Sequence, residues 1–439
     1  MKYFRIVIVL FLLNGVISVK MCSADEKAVR DEIAALKTRI TALETKLHKK
    51  KPEMHTDSHL LHRKEGYQLV GGLQVGAGAT FIVQGAIDAN NADILVGSDT
   101  TKSITDASYS IDLEIEKGFG DYGLGFVHLE TGDGAGVEDE LEVFSNVNRD
   151  TDDSDNNIAL TEAWYEHYLF DNQLSLRAGK VDATVQVDQS EIAHCECTQF
   201  LGRIFRNAPT IDFPDNTAGI RGLFAPAQAS WVEFEAQILD GDNDWEDIGD
   251  HIFTTYQTNI KPGFFNRDGN YRIYGWYKDT KYTDWTDTSK TNEDRYGFGL
   301  SIDQQLTDIF TVFGRYGWAD PDVYDPDATS SSGANYSLEQ TWSIGGQLDG
   351  ESWGREDDHL GVAIGMVVPS DEYKKAGSNL TADDEGHFEL YYLWQVNKHL
   401  ALSPDLQIIW NPFGSDYVVN NARRNDTITV IGCRGQVDF

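Results

Sequence analysis

The sequence predicts an all-β fold: a 16-stranded antiparallel transmembrane β-barrel with short periplasmic turns and long outer loops, preceded by a short α-helical coiled coil. Three observations carry this expectation. Sixteen segments of about ten residues alternate apolar and polar side chains with period two, the signature of a half-apolar strand. The connections between them alternate short and long from end to end, as in bacterial outer-membrane barrels. The chain closes an alternating strand on a terminal aromatic residue, Phe439.

Composition narrows the field first. The chain has 439 residues, with 36 Lys plus Arg against 71 Asp plus Glu, a formal net charge of −35. So strong an acidic excess argues against a nucleic-acid partner, whose phosphates draw Lys and Arg, and against a polybasic membrane-surface binder. Beyond the first 20 residues no run of 18 or more apolar residues occurs, so no transmembrane helix is expected. A barrel remains open, because it hides its lipid face in alternate residues. Forty Gly, 11% aromatics and only 4 Met lean toward β structure.

Taken in chain order, residues 1–24 read as a secretory signal peptide. Lys2 and Arg5 form the charged start, and Ile6 to Leu13 is an apolar core too short to span a bilayer. A lipoprotein signal ending at Cys22 is the rival reading, and Lys20-Met21 fit it poorly. Cys195, Cys197 and Cys433 make no disulfide framework. His194-Cys195-Glu196-Cys197 lacks the second ligand pair of a zinc site, so neither metal nor cofactor is expected. A local Cys195–Cys197 disulfide and a pair of free thiols both stay open.

Residues 25–51 carry Val29, Ile33, Leu36, Ile40, Leu43 and Leu47 at spacings of 4 and 3, the a/d seam of a coiled coil. About three heptads are marginal for one helix, so the seam needs a partner. Arg39 and Glu44 around Ile40 and Leu43 match a trimerisation motif, which predicts a parallel homotrimer in the periplasm. An amphipathic helix lying on its own domain is the alternative. Pro52 ends the helix. Residues 52–66 form a linker with His55, His59 and His62, a solvated spacer or a pH- or metal-responsive face.

From residue 67 to 439 the barrel pattern runs on. Strands are expected near 73–87, 107–117, 122–131, 160–169, 173–182, 217–224, 230–239, 253–261, 270–279, 294–304, 309–318, 340–349, 358–367, 386–396, 399–410 and 427–438. The long connections are 88–106, 132–159, 183–216, 240–252, 280–293, 319–339, 368–385 and 411–426, and acidic residues concentrate there. Phe439, sharing a face with Val437, Gly435, Cys433 and Ile431, is the expected recognition tag for the outer-membrane barrel assembly machinery.

Several segments carry a resemblance. Gly314 to Pro321, Ser343 to Leu348, Asp357 to Ala363, Glu389 to Tyr392 and Leu402 to Pro412 resemble the OprB-type carbohydrate-selective porins. Thr161 to Glu166 and Leu176 to Lys180 are weaker echoes. The resemblance implies a 16-stranded outer-membrane channel of a diderm bacterium that passes sugars by diffusion. The coiled coil lies outside that pattern.

Parity then nominates the lumen. If apolar positions face lipid, Glu114, Glu162, Trp164, Glu166, Arg177, Arg221, Glu233, Glu235, Arg272, Trp276, Arg315, Glu389, Asp405, Gln407 and Arg434 face water. Charged groups offer donors and acceptors to hydroxyls, and aromatic faces stack on sugar rings. A generic polar lumen without specific contacts is the bland alternative. Loop 183–216, the third and longest, is expected to fold inward and narrow the pore through Arg203, Arg206, Asp212 and Asp215. No Gly-x-Ser-x-Gly elbow, His-Glu-x-x-His pair or phosphate loop occurs, so no enzyme is expected. Besides the sugar porin, two other readings stand: a barrel tethering the outer membrane through its coiled coil, and a general or anion-selective porin.

Overall fold

The structure is a computed structural model that describes residues 67–68, 72–91, 101–150, 156–327, 334–376, 382–415, 418–419, 422–423 and 427–439. The chain divides into residues 1–55 and 56–439, and every described residue belongs to the second unit. The expected signal peptide, the coiled coil with Ile33, Leu36, Arg39, Ile40, Leu43, Glu44 and Leu47, and the His-rich linker lie outside the described residues.

Sixteen long strands form one closed antiparallel sheet: β1 Leu73–Ala89, β2 Lys102–Gly118, β3 Gly123–Asp133, β4 Ala159–Leu169, β5 Leu174–Val181, β6 Thr217–Phe224, β7 Val232–Asp240, β8 Ile252–Ile260, β9 Gly269–Asp284, β10 Glu293–Gln305, β11 Phe310–Ala319, β12 Leu338–Asp349, β13 His359–Pro369, β14 Glu385–Asn397, β15 Leu400–Trp410 and β16 Ile428–Asp438. Each pairs with its sequence neighbours, and β16 returns to β1 with Ala79 opposite Val437 and Ile87 opposite Thr429. Closure gives every wall strand a partner on both sides, which a bilayer core demands.

The expected and observed strands correspond one to one. Two run five residues further at one end than period two alone predicted. β2 begins at Lys102, because β1 also extends and Ala89 faces Lys102. β9 runs on to Asp284, where Thr283 and Asp284 pair with the short strand Val323–Tyr324. Loops 88–106 and 280–293 shrink accordingly.

The alternation has a direct outcome. Phe81, Val83, Ile220, Ile273, Phe298, Ile344 and Ile431 lie exposed on the outer wall, while Thr80, Ile82, Gln84 and Arg434 are buried inside. Phe119, Tyr122, Phe170, Trp231, Phe264, Phe265, Trp353 and Phe439 are also exposed, and all sit in or beside the short turns or at the C-terminus. They make an aromatic belt at one rim, the arrangement rings adopt at a membrane–water interface.

Candidate functional site

The lumen holds two inward loops. Loop 182–216 leaves β5 and crosses to the opposite wall. Its apolar residues Ile192, Phe200, Ile204 and Phe205 join a buried cluster with Phe313, Ala363, Tyr391 and Ala401 of β11 and β13–β15. Phe200 meets the Tyr391 ring edge-on at 4.9 Å. Packing in this cluster takes these side chains out of water, so the loop's own hydrophobicity helps hold it inside.

The wall holds this loop by its backbone. Arg315 donates to the carbonyls of Asp188, Ala193 and Phe205 and lies 3.3 Å from the Asp188 carboxylate. Arg434 donates to the carbonyls of Glu196 and Gln199. Glu389 accepts from the amides of Leu201 (2.6 Å) and Gly202 (2.9 Å). Gln257 accepts from Asp188 N, and Ser301 donates to Gln189 O. On β11, Gly317 leaves room for the loop: a Cβ there would stand 2.2 Å from Thr210 Oγ1. A four-residue helix, α1 Arg203–Arg206, turns the chain inside the lumen.

A second loop, described over residues 134–150, also turns inward, which the sequence pattern alone does not predict. Glu385 accepts from the amides of Phe144, Ser145 and Phe413, and His387 lies 2.7 Å from the same carboxylate. Gln407, beside Asp405, donates to Val147 O at 2.8 Å. The two loops are stitched together by Arg149 N to Leu201 O and Arg203 N to Asn146 O, both 2.9 Å. Phe144 also packs on Phe413, Tyr336 and Tyr373, which other long loops supply. Leu141, Phe144 and Val147 inside an acidic loop were the signal available in the sequence: apolar side chains with no strand stripe to join.

The strand candidates fall into two groups by what they touch. On β4–β7 charges pair with each other. Glu166 takes Arg177 (2.9 Å) and Arg221 (3.5 Å), and Arg221 also takes Glu235 (2.9 Å). Arg177 lies 3.7 Å over the Trp164 ring, and Trp164 Nε1 donates to Glu162. Glu233 holds Lys261 and Asn259. On β9–β16, Arg315, Glu389, Gln407 and Arg434 instead hold loop backbone. Arg272 pairs with Asp303 and reaches Glu191 of loop 182–216 at 3.8 Å. Trp276 is buried against Phe253, and Glu114 is buried on β2.

The four loop candidates do not form one ring. Arg206 pairs with Glu196 at 2.5 Å. Asp212 turns to the β9–β10 hairpin, near Tyr282 Oη, Lys278 and Arg295. Burial works to raise its carboxyl, but Lys278, Arg295 and the Tyr282 hydroxyl outweigh it and hold Asp212 below the usual range. Asp215 is exposed beside Asn243. Arg203 is half-buried, and among the described residues its guanidinium has no hydrogen bond or ion pair. The same holds for Arg149, which desolvation among the inward loops, then the like charges of Arg206 and Arg203, pull below the ordinary arginine range. Next to Arg149 in the chain, Asp150 is pushed well up by burial and by Glu196, Asp112 and Glu130. Free cations and crowded acids thus share the space between the loops. Burial pushes Asp188 up to about 6 against Arg315, and burial, Arg206 and Arg315 hold His194 well below its usual value.

Comparison with known proteins agrees with this geometry. The family described as carbohydrate-selective porin, OprB family, matches residues 98–439. No curated protein matches the sequence. The fold is similar to the high-pH structure of Pseudomonas putida OprB, with 15% identity, TM-score 0.66, and 87% of this chain and 96% of that one covered. It is also similar to the outer-membrane channel DcaP of Acinetobacter baumannii (11% identity, TM-score 0.52, 85% and 99% covered). A loop-deletion mutant of OmpT from Vibrio cholerae is comparable (9% identity, TM-score 0.50, 84% and 100% covered). The chain belongs to the OprB family of carbohydrate-selective porins, and family and fold are those of an outer-membrane channel.

Proposed function

We propose that this porin passes sugars by passive diffusion through a passage bounded by the inward segments 134–150 and 182–216, with Arg149 and Arg203 as the solute-contacting cations. The carrying observation is that among the described residues these two guanidiniums have no hydrogen bond or ion pair, while Glu196 and Asp182 act on Arg149 from nearby. A neutral polyol finds donors and acceptors close together here, whereas a simple ion meets charges of both signs. Arg177, Arg221, Glu162, Glu166, Glu233, Glu235, Asp405 and Trp164 line the wall in this reading, and Arg315, Glu389, Gln407 and Arg434 act through the loops they hold. Residues 1–24 direct export, Phe439 engages the barrel assembly machinery, and residues 25–51 trimerise on the periplasmic side.

The test is conductance of the full chain in planar bilayers. Mono- or disaccharides should block the current and phosphate should not, and R149A/R203A should weaken sugar block at least tenfold. Block by phosphate instead would favour the anion-selective reading, for which the cluster of Arg149, Arg203 and Arg206 is the supporting observation.

A further inference from the structure

Away from the lumen, the loop joining β7 to β8 carries an arrangement that the channel reading does not use. Asp240 closes β7 and is only 2% exposed. Thr217 donates to its Oδ2 at 3.1 Å. Its Oδ1 is buried and, among the described residues, has no hydrogen-bond partner. A buried carboxylate oxygen left unpaired is costly, because it has given up water without a replacement.

What surrounds that oxygen deepens the deficit. Asp240, Asp242 and Asp244 each offer an oxygen within 4.8 Å of the others, and Asp242, Asp250 and His251 form a second such trio. Asp242 Oδ1 and His251 Nδ1 are likewise buried without a hydrogen bond. Among the described residues no lysine or arginine ion-pairs with any of the five, and the nearest charge partner of His251 is another acid, Asp279, at 3.7 Å. The cluster is short of positive charge at its buried end.

We propose that residues 240–251 bind one calcium ion through Asp240, Asp242 and Asp244, with Asp250 and His251 at its margin. Oxygen donors on a loop suit Ca²⁺, which takes six to eight of them in flexible geometry. Mg²⁺ demands a tighter octahedron and Zn²⁺ favours nitrogen and sulfur. Acids at alternate positions present carboxylates to a common centre, as in the first half of a helix–loop–helix calcium loop. His251 stands where that loop carries a bidentate Glu, so the affinity belongs with extracellular sites, on the order of 10⁻⁴–10⁻³ M. The other acid–histidine trio, Asp112, His128 and Glu130, lacks this deficit, since His128 already bonds Asp112 at 2.8 Å.

The experiment titrates Ca²⁺ into the full chain in detergent by calorimetry, and Tb³⁺ in parallel, with Trp245 as the luminescence antenna. Saturable binding of one Ca²⁺ that displaces Tb³⁺ is expected. Asp240→Asn with Asp242→Asn should weaken it at least tenfold while heat-modifiability of the barrel is unchanged. If that variant does not fold, Asp244→Asn decides, because Asp244 is exposed and its loss leaves the barrel intact. No saturable Ca²⁺ binding up to about 10 mM, an affinity unchanged in whichever variant folds, or binding of Zn²⁺ but not Ca²⁺ overturns the proposal. Sugar block does not enter these readouts, so failure here leaves the channel reading untouched.

Discussion

The wall formed by β4–β7 and the wall formed by β9–β16 put the same kinds of side chain on the same face of the sheet, yet use them differently. On the first, Glu166, Arg177, Arg221 and Glu235 neutralise one another along the strands. On the second, Arg315, Glu389, Gln407 and Arg434 spend their hydrogen bonds on the carbonyls and amides of two loops. A lumen-facing charge is therefore not a solute contact by virtue of its direction. Its partner decides whether it is wall, clamp or free, and the free guanidiniums come from the loops.

Removing a clamp should have the largest effect. Arg315→Ala leaves three loop carbonyls and Asp188 without their buried partner, a loss of about 3–5 kcal/mol for a buried pair broken on one side. Conductance should rise and become noisy as loop 182–216 unseats, with earlier thermal unfolding of the β signal. An unaltered, quiet channel would erase the distinction between the walls. On the pairing wall, Glu166→Gln removes the charge between Arg177 and Arg221 but keeps an acceptor, at roughly 1–3 kcal/mol. The loop should stay seated, so reversal potentials should move toward anion preference while the noise stays low. Noise equal to that of Arg315→Ala would show that both walls hold loops.

The smallest expected effect is on pH. His194 is held well below its usual value in the seated loop, so its share of seating is complete above pH 6.5 and falls away as pH drops below it. Asp188 has the opposite sign. Raised to about 6, it makes seating lose stability as pH rises from about 3.8 through 6, and gain on acidification. The two oppose between about pH 6 and 4. Wild-type noise should change little there, whereas His194→Asn should grow quieter on acidification. A variant that grows noisier would contradict the assignment.

Most of the barrel was legible because period two and turn spacing are local. Phe81, Ile273 and Ile431 announce the lipid face without knowledge of any distant residue. The inward course of loop 182–216 was legible from its length and order, and Arg203 and Arg206 came with it. Which groups stay unpaired was not legible. Arg149 and Arg315 look alike in sequence, and only contacts across more than a hundred residues separate a free guanidinium from a clamp. The resembling segments take on a physical meaning in this light. Arg315 and Gly317, Glu389 and Tyr391, and Asp405 and Gln407 alternate inward within them, and all but Asp405 touch loop atoms directly.

The stitching of both loops to β11, β14, β15 and β16 also bears on the order of events in biogenesis. Glu385 meets Phe144 across 241 residues of sequence, and Arg434 meets Glu196 across 238. Such distant partners make late contacts, since chain closure must precede them. Until the C-terminal third is in place, Phe144, Phe200 and Phe205 lack the wall residues they pack against. The inward loops are seated last, by the strands that also complete the wall, so a chain truncated before β14 would leave both loops without their clamps as well as the seam unclosed.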